Sequence, residues 1–267
     1  LCLIWSKIAI HAPPSTHVPA GILSNYKTVL SHRHAWGLML SNSFSFGGMF
    51  AYITASSFVF IQHYGFSPTQ YGYLFAFNLF SVLVFTSIST RALKYMSSLK
   101  LLKIMACISC ISGLYLAAIG YLDLTSPVWL IIGLACFVGV TGSIGANSMA
   151  NLLRILPQQA GTASGLSVSM QFGIGAIMSY LVSLLFSSYG AASMNAVIGI
   201  SASLCLISLL LTKGMRRTHA QYPYRPLVGD THLVLQRQPG IHHRFIANQH
   251  AQRRHRHFLM VQQVENA

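Results

Sequence analysis

Between Trp36 and Thr212 the chain carries one acidic residue, Asp123, and five basic ones, Arg91, Lys94, Lys100, Lys103 and Arg154. That scarcity of charge constrains the fold more than any other feature. A water-facing domain carries roughly 25% charged residues. Here 7% are charged and 53% hydrophobic, so the chain lacks the groups to cover a surface in water. The same stretch contains six apolar runs, near Trp36–Ile61, Gln70–Thr90, Ile104–Leu122, Val128–Ala150, Ala163–Phe186 and Met194–Thr212. Each is about 20 residues long, enough to cross roughly 30 Å of hydrocarbon as a helix. The runs are continuous rather than alternating, which excludes membrane strands. The expected fold class is an all-α membrane protein with six transmembrane helices.

The bases set the expected orientation. Lys27 and Arg33 precede the first run, and Arg91, Lys94, Lys100 and Lys103 separate the second and third. Arg154 lies between the fourth and fifth, and Lys213, Arg216 and Arg217 follow the sixth. The opposite loops, Gln62–Thr69, Asp123–Pro127 and Ser187–Ser193, hold no lysine or arginine. Basic loops are retained in the cytoplasm, so both ends are expected there.

Three segments follow. Residues 1–35 read as a cytoplasmic linker in which Leu23–Ala35 forms a short interfacial helix. Residues 36–212 form the six-helix bundle. Residues 213–267 read as a basic, His-rich, disordered cytoplasmic tail, or as the product of a coding rearrangement. The sequence opens on Leu1, which fits a processed start or a fragment. The formal net charge of +14 would point to nucleic acid in a soluble protein. Beside membrane spans it points to membrane lipids instead, and no nucleic-acid partner is expected. His242-His243 and His255-Arg256-His257 lack the spacing of a closed metal site, and Cys107 and Cys110 sit on a membrane helix without a second pair. No metal and no cofactor are expected. No run holds an Asp, Glu or His suited to hydrolysis, so an intramembrane enzyme finds no support.

Polar groups in hydrocarbon are costly unless paired, so their positions carry information. Asn42, Asn151 and Asn195 lie near run ends and read as helix ties or water-satisfied groups. Asn147 and Gln171 lie deeper, and either tie helices or line a pathway. Gly161, Gly165, Ser169 and Gly173 recur every four residues, the spacing of a helix-packing stripe. Phe46, Phe50, Tyr52 and Ser56 are expected to share one inward face with Phe75 and Asn78 opposite. Such a greasy aromatic wall suits a hydrophobic small molecule.

The run Phe46-Gly47-Gly48-Met49-Phe50-Ala51-Tyr52-Ile53, then Tyr64-Gly65-Phe66-Ser67-Pro68-Thr69-Gln70-Tyr71-Gly72 and Leu74-Phe75-Ala76-Phe77-Asn78, resembles helices seven and eight of the Bcr/CflA drug-resistance family. That family belongs to the major facilitator superfamily. Ala160-Gly161-Thr162-Ala163-Ser164-Gly165-Leu166, with Gln171 beyond, resembles the start of helix eleven. The resemblance implies the C-terminal six-helix bundle of a twelve-helix, proton-coupled exporter of drugs or small metabolites in the cell inner (plasma) membrane. The partner would be the missing N-terminal six-helix half, which in the family carries the proton-linked carboxylate, or another bundle. It further implies that Phe46, Phe50, Tyr52, Ser56, Phe75, Asn78, Asn147 and Gln171 line the substrate pathway. Arg91, Lys94 and Lys100 would form a degenerate cytoplasmic gating loop. The chain departs from the family at Ser57 and Ala146, where prolines are usual. The alternative is a truncated or partner-dependent membrane protein that does not transport.

Orientation is open to a direct check. Single cysteines at Ser67, Ser98, Ser126 and Gln158, in a background without the native ones, are labelled on intact cells with an impermeant thiol reagent. Labelling is expected at Ser67 and Ser126; labelling at Ser98 or Gln158 inverts the topology.

Overall fold

The six apolar runs become six long helices, and serine side chains just before two of them supply N-terminal caps. The structure, a computed structural model, describes residues 21–122 and 126–211. A short helix α1 (Ile22–Ser31) leads at His32 into α2 (Arg33–Ser57), which continues as a π-helical segment (Phe58–His63). Then follow α3 (Pro68–Ala92), α4 (Ser98–Tyr121), α5 (Pro127–Ile155), a 3-10 turn (Pro157–Gln159), α6 (Ala160–Tyr189) and α7 (Ala191–Leu210). No strand occurs among the described residues. The six helices from α2 to α7 are long and apolar enough to cross a membrane, as expected. The tail after Arg217, with its histidine pairs, lies outside the described residues, as does the linker before Gly21.

Local chemistry explains the boundaries. Ser67-Pro68-Thr69-Gln70 is a capping box: Gln70 N donates to Ser67 Oγ (3.2 Å) and Ser67 N donates to Gln70 Oε1 (2.9 Å). Proline at the first helical position gives up a hydrogen bond that would be orphaned anyway. Ser97 accepts from Lys100 N at 3.4 Å, so α4 begins before its apolar run and carries Lys100 and Lys103 within the helix. Gly190, at φ +54°, makes the turn between α6 and α7 in a region that side chains disfavour.

At Ser57, where the resembled family has proline, α2 passes into the π segment instead. Tyr64 N donates to Val59 O at 3.1 Å and Phe66 N to Phe60 O at 2.9 Å, so the widened turn leaves its end satisfied. The extra residue per turn points Phe60 into an aromatic group with Tyr64, Phe66 and Tyr71.

Helix α2 is central, packed by α5, α6 and α7, while α3 rests on α5, and α4 lies between α5 and α7. The core has two layers. One gathers Leu38, Met39, Leu101, Leu102, Ile144, Leu152 and Cys205; the other gathers Tyr52, Phe60, Leu116, Leu134, Phe137, Val182 and Ile198. In the most apolar stretch of α3 and of α6 only 17% of residues are buried, against 44% to 61% in the other four helices. Those two helices therefore bury the fewest residues within this chain.

Two glycines let α4 and α7 approach closely. A Cβ on Gly113 would fall 2.5 Å from Ala202 Cβ and 3.3 Å from Ile198 O. A Cβ on Gly199 would fall 2.9 Å from Ala117 Cβ and 3.0 Å from Gly113 O. The stripe expected to play this part does not. Gly161, Gly165, Ser169 and Gly173 are all exposed, and a Cβ on any of the three glycines meets nothing within 4 Å. The expected packing seam is corrected for this bundle: α6 turns Ala163, Ser167, Gly175, Met178 and Val182 inward instead. A four-residue repeat drifts about 40° per step around a helix, so it marks an arc and not the side that is covered.

Gly113→Leu is expected to destabilise the chain by about 1–3 kcal/mol through overpacking, with Gly165→Leu near neutral. Thermal unfolding in detergent distinguishes them, and equal losses would contradict the assigned seam.

Candidate substrate-facing site

Four of the residues expected along the pathway sit on α2, and helix geometry divides them. Six residues advance a helix by about 240° beyond full turns, so Tyr52 and Ser56 lie well around the helix from Phe46 and Phe50. The structure separates them accordingly, and the expectation of one shared inward face is corrected.

Phe46 and Phe50 turn toward α6. Their rings lie 4.8 Å apart, and both meet Phe172 edge-on, at 5.7 Å and 6.1 Å. Gly175 makes room: its Cβ would touch the Phe50 ring at 3.3 Å. Phe172 is 54% exposed, and Phe46 and Phe50 are partly so. One helical turn before Phe46, Asn42 Nδ2 donates to Gln171 Oε1 at 3.0 Å. Asn42 Oδ1 lies 3.2 Å from the Cβ position of Gly145, so α5 also borders this amide pair. Farther along the same two helices, Thr54 Oγ1 donates to Ser179 Oγ at 2.9 Å. The α2–α6 face thus offers an accessible aromatic cluster with an amide pair at one end and a hydroxyl pair at the other. It can stack a flat apolar molecule and give it a few hydrogen bonds.

Tyr52 and Ser56 turn toward α3. Tyr52 stacks on Phe75 at 6.3 Å and 11°, and Asn78 Nδ2 donates to its hydroxyl at 2.9 Å. Ser56 Oγ and Tyr71 OH are 2.8 Å apart. Tyr52, Ser56 and Asn78 are buried at 1%, 0% and 1% exposure, so they sit behind the accessible surface. Asn78 Oδ1 is buried with no protein partner among the described residues.

Asn147 belongs to a third group, at the loop end of α3 and α4. Its Nδ2 donates to Ser89 Oγ (3.2 Å) and to Ser143 O (2.8 Å), and its Oδ1 accepts from Ser98 Oγ (2.8 Å). Asn151 Nδ2 donates to Ser98 Oγ at 2.9 Å. Every polar atom of the Asn147 side chain is thus engaged, and the residue is 4% exposed. Of the two readings open for Asn147, this bonding supports the helix tie. It fastens the α3–α4 connection, on which Arg91, Lys94 and Lys100 stand exposed. No aspartate or glutamate occurs among the described residues, and the bonds that fasten this connection are between neutral amides and hydroxyls.

Tyr71, Phe172, Ser89 and Ser98 join these groups without having been singled out. Phe172 was readable: it follows Gln171, and an aromatic beside an amide on a small-residue helix is a usable signal. Ser89 and Ser98 matter only because the α3–α4 turn brings them together.

A sequence model of the Major Facilitator Superfamily matches residues 5–179. The chain belongs to that superfamily. It is a multi-pass membrane protein, and its membership points to a transporter rather than an enzyme. It is 38% identical over 162 residues to the bicyclomycin resistance protein homolog of Haemophilus influenzae, covering 60% of this chain and 40% of that protein. This supports the resemblance to the Bcr/CflA family. It is also 25% identical over 204 residues to the uncharacterized MFS-type transporter YdgK of Bacillus subtilis, covering 75% of this chain and 50% of that one. The chain thus spans about half the length of these relatives or less. No solved structure matches it.

Asn147→Ala leaves Ser89 and Ser98 without their shared partner in a buried setting. Its cost is expected to be about 1–3 kcal/mol, read as reduced thermal stability in detergent, with Lys94→Ala as an exposed control near zero.

Proposed function

We propose that this bundle is the C-terminal half of a proton-coupled exporter of hydrophobic drugs or small metabolites. It would sit in the cell inner (plasma) membrane with both ends in the cytoplasm. The observation that carries the reading is the Phe46–Phe50–Phe172 cluster, which stays accessible on the central helix of the bundle beside an amide pair. A wall of this kind serves a site formed where two bundles face each other. Two further features support it. Helices α3 and α6 bury few of their residues, and the small-residue arc of α6 is exposed. The similarity to a bicyclomycin resistance protein homolog also fits drug export.

Within this reading Phe46, Phe50 and Gln171 are substrate-facing, with Phe172 added. Tyr52, Ser56, Phe75 and Asn78 form the supporting layer between α2 and α3. Arg91, Lys94 and Lys100 occupy the cytoplasmic gating loop. Proton coupling requires a group whose charge changes with conformation. The described residues hold no carboxylate, and in this reading that group lies in the facing half, as the family resemblance implies, so the antiport cycle needs both. The same feature favours the alternative, a partner-dependent membrane protein that does not transport by itself.

The test reconstitutes residues 1–267 in liposomes with an imposed pH gradient and follows a fluorescent cationic dye. The chain alone is expected to move no more dye than empty liposomes. Co-reconstituted with the N-terminal half of its Haemophilus relative, it is expected to restore gradient-dependent movement. Phe46→Ala/Phe50→Ala should weaken dye affinity roughly tenfold. Movement by the chain alone would refute the half-bundle reading, and no movement with both halves would favour the non-transporting alternative.

A further inference from the structure

Helix α1 is not a passive linker. Leu23, Tyr26 and Leu30 are 85%, 40% and 42% exposed. At about 100° per residue they fall within roughly 60° of one another around the helix, so they form a single apolar stripe. Ser24, Thr28 and Ser31 lie on another side, and two of their hydroxyls bond back to the helix: Thr28 Oγ1 donates to Ser24 O and Ser31 Oγ to Thr28 O. Val29 points in a third direction and is fully buried in the core layer that contains Leu38 and Met39. A ten-residue helix with these three sides is fixed to the bundle by one, wetted on another, and left with an apolar stripe that stays open at Leu23 and half open at Tyr26 and Leu30.

The position and charge of that stripe select its occupant. Trp36, in the first turns of α2, donates its Nε1 proton to Leu30 O at 2.7 Å, and His32 separates the two helices by a single non-helical residue. The stripe therefore lies within a few residues of the point where the first membrane span begins. Trp36 is itself 37% exposed, so the apolar stripe continues into the lipid-facing band, with an indole at the depth where indoles collect. Lys27, exposed, adjoins Leu23 on the wheel, Arg33 follows the helix end, and the described residues contain no acid to neutralise them. Apolar side chains beside unneutralised bases, at the end of a span, match the boundary between acyl chains and anionic headgroups.

We propose that α1 is a lipid-interface anchor. Leu23, Tyr26 and Leu30 enter the acyl boundary, and Lys27 and Arg33 hold the phosphates of anionic phospholipid. The anchor sets the height and rotation of α2 at its first turn, and α2 carries the aromatic cluster. Lipid charge thereby acts on the element that bears the candidate site.

The test uses the full chain in nanodiscs. Leu23→Cys and Thr28→Cys, with the native cysteines replaced by alanine, are labelled with bimane. They are quenched from the lipid side by brominated acyl chains and from water by iodide. Brominated lipid should quench the label at position 23 roughly twofold or more above position 28. That quenching should rise as phosphatidylglycerol replaces phosphatidylcholine, and the rise should vanish with Lys27→Gln/Arg33→Gln. Equal quenching at both positions overturns the anchor, and a position 23 shielded from both quenchers assigns the stripe to a protein partner. If the cysteine-free background fails to fold, hydrogen exchange in the otherwise native chain decides. Exchange over residues 22–31 should slow with phosphatidylglycerol, and not in Lys27→Gln/Arg33→Gln. Exchange insensitive to lipid charge in the native chain overturns the proposal.

Discussion

Hydrocarbon offers no hydrogen bonds, so every polar group that enters it must find its partner in the protein. The backbone meets that demand by remaining helical for the length of each span. The side chains that meet it do so in two ways here, while a few buried atoms such as Asn78 Oδ1 have no partner among the described residues. Hydroxyls bond back to a carbonyl on their own helix, as Ser43 does to Met39 O and Ser208 to Leu204 O. Amides and a smaller set of hydroxyls bridge between helices. Without acids in the described bundle, no buried ion pair enters this scheme, and the polar ties are neutral throughout. Such ties are worth about 0.6 kcal/mol each in a membrane, so they set register and angle while packing holds the helices together.

The ties are placed where packing alone would leave freedom. The Asn147 group joins α3, α4 and α5 at one end of the bundle, next to the turn that carries the exposed bases. The Tyr52–Asn78 and Ser56–Tyr71 pairs join α2 to α3 toward the other end. The Asn42–Gln171 and Thr54–Ser179 pairs join α2 to α6. Helix α2 takes part in two of these three sets. It is held from both sides and still presents Phe46 and Phe50 at the surface. This combination keeps the aromatic surface both accessible and fixed in place. The π segment that ends α2 adds a second consequence, since it gathers Phe60, Tyr64, Phe66 and Tyr71 into one plug beside the α2–α3 pairs.

The same arrangement leaves two helices open to further contact. In the most apolar stretch of α3 and of α6 only 17% of residues are buried, so lipid or another protein meets the surface that stays exposed. On α6 that surface includes glycines, which lipid does not require and a neighbouring helix can exploit. Superfamily membership and the 40% to 50% coverage of the relatives fit a bundle that faces a second one.

The amino-acid sequence by itself determined the fold class, the number of spans and their order, because charge scarcity and run length depend on composition along the chain alone. Superfamily membership was legible for the same reason, in local strings such as Ser67-Pro68-Thr69-Gln70 whose capping chemistry is complete within four residues. Side-chain neighbourhoods were not. The spacing of Gly161, Gly165, Ser169 and Gly173 is the spacing of a seam, yet the seam of this bundle is Gly113 against Gly199, 86 residues apart in sequence. Phe46 and Tyr52 are near in sequence and face different helices. Asn147, deep in its run, is consumed by Ser89 and Ser98 from a turn that sequence alone leaves unplaced. Periodicity reports which residues share a side of one helix; which neighbour that side meets is decided by helix crossing, and crossing exists only in the tertiary structure.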